Sequence, residues 1–402
     1  MCKRVAIRYA RRCGAVATTV AALCAPFAVA AQSLRLRGDA LVETQSDQRA
    51  PAGILVLQGD AKAQSWASAE GLVWAGARPD VTADILVLAL RLRDPGGRGE
   101  VRVGRFVVTT GAIFPVQIDG ADALARTPWG ESVEAFGGAP VVPRFGARAY
   151  DWIVGGRVGQ SVGGGVASFG VSYVQRREDG EIATHELGAD MTASPARWFD
   201  VAAKGAYDLA SLGIADARLT LSARSKEVRG ELFVADQSPG RLLPATSLFS
   251  VLGDFPSQSV GATVKWRAAP RLDLVAGGAG QSVGGSPGAN GWIRTTLRLD
   301  DRGDGSLGFE CRRVDVSSAR WTGFRAVASK PLGHGLRLGS EIEIVVPDDS
   351  QGRGIAWPWG LLSLGWRSRG WEVAGAVEAA STPTHRYETN ALARLSRALE
   401  LP

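Results

Sequence analysis

The ten residues from Ala215 to Arg224 show the pattern that most constrains this chain: apolar and polar side chains alternate strictly. A strand points successive side chains to opposite faces, so Ala215, Ala217, Leu219, Leu221 and Ala223 share one face. Asp216, Arg218, Thr220, Ser222 and Arg224 share the other. The same period returns at 260–267, 293–300 and 336–344, and helical spacing fits none of these windows. Between Leu34 and Leu399 such runs are separated by turn-forming clusters, among them Asp94-Pro95-Gly96-Gly97, Glu178-Asp179-Gly180 and Arg367-Ser368-Arg369-Gly370. A soluble sandwich uses this pattern a few times; this chain repeats it sixteen to twenty times.

The first 31 residues differ in kind. Lys3, Arg4, Arg8, Arg11 and Arg12 form a basic head, residues 14–31 are apolar or small apart from Thr18 and Thr19, and Ala28-Val29-Ala30 is a small-x-small cleavage site. These are the parts of a secretory signal peptide. Five of the 46 basic residues and none of the 40 acidic ones lie in that segment, which leaves 41 against 40 in the mature chain. The basic character therefore belongs to the export signal, and no nucleic-acid partner is implied. Cys2, Cys13 and Cys24 leave with the signal, so Cys311 remains alone and no internal disulfide can form. No apolar run after Ala31 reaches the ~18–20 residues that a membrane helix needs.

An export signal followed by many alternating runs predicts an all-β fold: a transmembrane, antiparallel, up-and-down β-barrel with an even strand number, about 16–20. Residues 32–402 form one domain, since a closed barrel needs all its strands at once. Connections alternate in length. Short ones fall near 94–99, 225–228, 268–271, 300–305 and 367–370; longer or more irregular ones fall near 238–257, 281–289, 347–357 and 380–386. Leu362, Leu364 and Trp366 lead into the turn at 367–370, and Trp371, Val373 and Val377 leave it on the same face. Trp366 and Trp371 are thereby placed as an aromatic girdle at the lipid headgroups. The longest break, 109–150, follows the fifth strand; its piece at 131–141 reads equally as a strand or as part of an inserted loop.

On these features the chain resembles bacterial outer-membrane porin-like β-barrels. The resemblance is architectural and covers residues 32–402. It implies an outer-membrane location in a Gram-negative cell, contact with outer-membrane lipid, and a long loop after the fifth strand folded into the lumen. Asp119, Asp122 and Arg126 would be the charges of that constriction loop. One departure is the C-terminus, Leu399-Glu400-Leu401-Pro402, which lacks a final aromatic residue.

The polar face carries Arg91, Arg93, Arg102, Arg218, Arg224, Lys265, Arg267, Arg294, Arg298 and Arg337, with Glu341 and Glu343, as candidate pore-lining residues. Arginine dominates these cations, and guanidinium groups facing carboxylates set a transverse field that filters solutes by charge. The expected function is passive diffusion of small hydrophilic solutes, with a mild anion preference. Two alternatives stay open: a plugged barrel serving as a platform for surface or secretion assembly, and a secreted β adhesin. Enzymatic chemistry finds no support. His185, His334 and His385 have no nucleophile or acid at catalytic spacing, and no Cys/His cluster or phosphate-loop pattern occurs, so neither catalytic residues, metal nor cofactor are expected.

Overall fold

The computed structural model describes residues 33–45, 52–77, 81–141, 151–238, 257–301, 304–316, 319–348, 356–381 and 387–401. The signal segment 1–31, His385 and most of the long connections lie outside the described residues. The first seven strands are β1 (Ser33–Gln45), β2 (Ala52–Gln64), β3 (Ala67–Ala77), β4 (Val81–Arg93), β5 (Gly99–Val108), β6 (Val116–Arg126) and β7 (Glu131–Pro140). Next come β8 (Ile153–Val162), β9 (Ala167–Glu178), β10 (Glu181–Ala196), β11 (Phe199–Asp208), β12 (Gly213–Arg224), β13 (Val228–Gln237) and β14 (Ser257–Ala269). The series ends with β15 (Leu272–Val283), β16 (Ser286–Arg298), β17 (Ser306–Val316), β18 (Ala319–Gly333), β19 (Leu336–Pro347), β20 (Trp357–Ser368), β21 (Trp371–Ala380) and β22 (Glu388–Leu401).

All belong to one 22-stranded sheet. Each strand pairs antiparallel with its neighbours in the chain, and β1 pairs with β2 on one side and β22 on the other. That last ladder runs from Leu34/Leu401 to Gln45/Asn390, so no edge is left to template aggregation. The sheet is a closed, up-and-down barrel of even strand number, with two strands more than the upper expectation of twenty. Strands ~4.8 Å apart and tilted by about 40° close, at this number, into a wall about 20 Å from the axis.

The alternation decides which face turns outward. Leu362, Leu364, Val373 and Val377 are all exposed and share a face, as do Val158, Val171 and Phe169. A closed sheet has no second apolar layer to cover these side chains, and acyl chains are the medium that fits them. The start of β1 and the end of β22 lie at one end, called the terminal end. Short turns such as 65–66, 94–98, 225–227, 334–335 and 369–370 lie at that terminal end, while the three longest connections, 141–152, 238–256 and 348–356, all leave from the far end.

Two expectations need correction. The break at 109–150 is not one excursion: β6 and β7 occupy half of it, and 109–115, 127–130 and the stretch from 141 onward lie between strands. The dyad signal is weak there because the apolar face of β6 is built from Ala121, Ala123 and Ala125, and β7 ends in Phe136-Gly137-Gly138-Ala139-Pro140. The irregular stretch 281–289 is two strands joined by a tight Gly284-Gly285 turn, both glycines at positive φ. The sequence Gly-Gln-Ser-Val-Gly-Gly occurs twice, at 159–164 and 280–285, and closes a turn at the terminal end in one case and at the far end in the other. The two copies are therefore not equivalent hairpins; they share turn chemistry.

Candidate functional site: the barrel interior

The register carries every predicted lining residue to one face. Arg91 pairs with Arg102, and Arg93 with Glu100. Arg224 pairs with Arg229 and Arg229 with Lys265, which places Arg218 and Arg267 on that face too. Arg294 pairs with Glu310, Glu310 with Arg325 and Arg325 with Glu343; Arg298, Glu341 and Arg337 follow at two-residue steps. This face is opposite the exposed aliphatic one.

Most of these cations meet a carboxylate there. Arg91 donates to Glu100 at 2.7 Å, Arg298 to Asp273 at 2.6 Å and Arg325 to Glu341 at 2.6 Å. Arg294 and Arg312 both hold Glu310, each through a 2.8 Å bond. Across the closing seam, Arg394 reaches Glu372 at 3.0 Å and Asp39 at 3.6 Å, and Arg37 holds Asp39 at 2.8 Å. Such wet pairs contribute about 0–1 kcal/mol each, so they shape the local field more than they hold the wall. At β12–β14 three cations, Arg224, Arg229 and Lys265, are cross-strand neighbours near the terminal end, with Asp200 3.7 Å from the first.

One region of the wall leaves the cylinder. The β4–β5 ladder extends only from Arg93/Glu100 to Leu88/Arg105, although β4 continues back to Val81 and β5 onward to Val108. Beyond that point the β5–β6 hairpin turns inward. Its tip, 109–115, lies against the inner faces of four strands. Thr110 donates to Glu134 of β7, and a Cβ at Gly111 would sit 2.8 Å from Asp190 of β10 and 2.9 Å from Ser172 of β9. Thr110, Ala112 and Ile113 are buried. Ile113 joins Phe106, Val108, Ile118, Phe136, Ile153 and Val174 in a single apolar cluster on the inner side of the wall. Burial of these side chains, at about 25 cal/mol per Å² of apolar area, holds the tip in place.

Where the hairpin departs it leaves a dent of about 650 Å³, lined by Ile85, Leu88, Val103, Gly104, Arg105, Asp119, Gly120 and Ala121. Arg105 spans the gap. Its guanidinium holds Asp119 at 2.6 and 2.7 Å, Asp84 at 3.2 Å and the Ile85 carbonyl at 2.8 Å. It thus supplies the backbone partner that β4 loses when β5 turns away. Arg105→Leu is expected to destabilise the barrel by about 1–3 kcal/mol, the cost of leaving such acceptors without their donor. The urea midpoint of unfolding in micelles measures it, and an unchanged midpoint contradicts the bridging role.

Asp119, Asp122 and Arg126 are therefore strand residues of β6, not charges on a loop. Asp122 and Arg126 face inward, and Asp119 faces the opposite way, toward Arg105. The inward segment does follow the fifth strand, but it comprises 109–115, whose buried members are Thr110, Ala112 and Ile113. Trp366 and Trp371 lie exposed on the outer face beside the turn at 369–370, and the Arg397 guanidinium stands 4.4 Å from the centre of the Trp371 ring. Four more exposed tryptophans, Trp66, Trp129, Trp198 and Trp266, lie in or beside connections of the same end. Of these four only Trp266 adjoins a short turn predicted from the sequence, at 268–271.

No family model matches this chain, and no curated protein sequence matches it. Solved structures do. The P pilus usher (PapC) translocation pore is 9% identical, with a TM-score of 0.53, covering 92% of this chain and 100% of that one. The Escherichia coli P pilus tip assembly intermediate PapC-PapD-PapK-PapG is 8% identical, with a TM-score of 0.55; 92% of this chain and 61% of that chain are covered. The fold is that of an outer-membrane β-barrel. Pseudomonas aeruginosa OccD3 (OpdP) also matches, at 10% identity, 92% and 91% coverage and a TM-score of 0.47. At these identities the likeness reaches the fold alone.

Proposed function

We propose that this protein is a Gram-negative outer-membrane channel for the passive diffusion of small hydrophilic solutes. Residues 1–31 direct export and are cleaved, residues 32–402 form the barrel, and the long connections face the cell exterior. The observation that carries the reading is the wall itself: 22 strands closed on one another, charged within and aliphatic without. A wall about 20 Å from its axis is too wide for its own side chains to fill. Among the described residues the in-folded tip covers only the inner faces of β7–β10, so it narrows the lumen without spanning it.

The paired guanidinium and carboxylate groups favour hydrated, polar solutes over apolar ones. The row Arg224–Arg229–Lys265, three cations beside the single carboxylate of Asp200, gives the terminal mouth a positive potential, which supports a mild preference for anions. The lipid-facing aliphatic face and its tryptophans at the terminal end support residence in the membrane.

Purified protein in a planar bilayer under a KCl gradient tests both parts. Stepwise conductance with a small reversal potential of anion sign is expected. A barrel that inserts, shows heat-modifiable migration on gels and never conducts would overturn the channel and assign the chain the role of a plugged platform.

A further inference from the structure

Five tryptophans face inward, and three of them form a path. Trp292 of β16 pairs with Arg312 of β17, Arg312 with Gly323 of β18, Gly323 with Val345 of β19, and Val345 with Trp357 of β20. The middle of that row carries an indole as well. A Cβ on Gly323 would stand 2.7 Å from the Trp321 ring, so this ring lies across Gly323. The Trp292 ring lies in the same way over Gly277, 3.0 Å from where its Cβ would be. Both rings lie close over glycine backbone and are only partly buried, and the Arg294 guanidinium stands 5.4 Å from the centre of the Trp292 ring.

The three indoles thus recur on every second strand, about 10 Å apart. The row runs across strands that tilt by about 40°, so it also descends along the pore. Trp357 opens its strand at the far rim, whereas Trp292 lies mid-strand, deeper in the wall.

One register step below runs a polar row, Arg294–Glu310–Arg325–Glu343, which ends at Trp359. Its groups balance: Arg294 and Arg312 hold Glu310, Arg325 holds Glu341, and Glu343 completes three carboxylates against three guanidiniums. Between the two rows is a cavity of about 100 Å³ lined by Glu310, Arg312, Trp321, Gly323, Arg325 and Glu343, with Phe324 behind.

From this juxtaposition we infer that the inner face of β16–β20 is a binding track for a neutral oligosaccharide, entered from the far rim. The inference rests on the open lumen proposed above. A pyranose ring offers a flat C–H face and an equatorial rim of hydroxyls. The indoles supply platforms for the first, and alternating donors and acceptors supply partners for the second. Charge balance within the polar row selects against a charged ligand, which would meet a like charge wherever it met an opposite one. An apolar ligand would leave those carboxylates and guanidiniums desolvated and unpartnered.

Full-length protein in planar bilayers, exposed in turn to maltohexaose, cellohexaose and benzoate, decides the matter. At least one hexasaccharide should interrupt the ion current, and the W292A/W321A double variant should raise its half-blocking concentration about ten-fold. W266A, which removes an indole from the lipid face, should leave block unchanged. Block equal in the double variant, block by benzoate alone, or block by neither sugar in a conducting pore overturns the track. If the pore is silent, quenching of tryptophan fluorescence by the same sugars in detergent micelles takes over the decision. Saturable quenching lost in W292A/W321A then supports the track, and its absence in the wild-type protein refutes it, whatever becomes of the channel.

Discussion

Replacing residues 109–115 by Asn-Gly raises the single-channel conductance about two-fold, because it removes the only described segment that leaves the wall for the lumen. The tip stays inside because Ile113 is buried with Phe106, Ile118 and Phe136, while Thr110 donates to Glu134. Val108 and Val116 are register partners, so a two-residue turn can close the hairpin directly. The shortened hairpin loses its cover over Ser172, Gly188 and Asp190 on the inner wall, and water and ions take its place. Conductance per channel in symmetric KCl is the measurement; an unchanged value would mean that the narrowest passage lies elsewhere. A longer deletion, through 128, would remove β6 and open the barrel, so it could not report on constriction.

The same hairpin shows where the sequence was legible. Alternation in β12, from Ala215 to Arg224, specifies a strand, its two faces and its neighbours' requirements in ten residues. Repeated to the end, it predicts the closed sheet and the common face of Arg91, Lys265, Arg294 and Glu341. The turn between Trp366 and Trp371 is legible for the same reason, since both neighbours display their apolar face up to the bend. β6 and β7 are not, because Ala121, Ala123 and Ala125 on one face and Gly137-Gly138 in the other strand carry little hydropathy contrast. The inward fold of the hairpin was hidden for a different reason. It depends on contacts between residues 110–113 and side chains at 134, 172 and 190, which no local window contains. Likewise the aromatic row of β16, β18 and β20 exists only once Trp292, Arg312, Gly323, Val345 and Trp357 are brought into register.

Gly120→Val and Gly138→Val are each expected to abolish correct assembly. Gly104, Gly120 and Gly138 are register partners across β5, β6 and β7, at the level where the hairpin leaves the cylinder. Gly104 has a φ of 126°, a conformation that L side chains rarely adopt. At the next pair the strands approach so closely that a Cβ on Gly120 would lie 2.7 Å from the Gly138 Cα, and a Cβ on Gly138 would lie 2.7 Å from the Gly120 Cα. The obstacle in both cases is backbone, which cannot rotate away as a side chain can. Relief requires the β6–β7 ladder to separate, and with it the bend that seats Ile118 and Phe136 in the inner cluster. Overpacking of that kind costs about 1–3 kcal/mol where side chains yield, and more where only backbone can move. Gly230→Val is the matched control: Gly230 lies in β13 on the outer face, and nothing stands within 4 Å of its Cβ position. The fraction of outer-membrane material that migrates as the compact, unboiled band should collapse for the first two variants and stay at the wild-type level for the third. Full recovery of the compact band in Gly120→Val would show that the hairpin can lie in the wall, and that its inward course is imposed by the tip rather than by the glycine row.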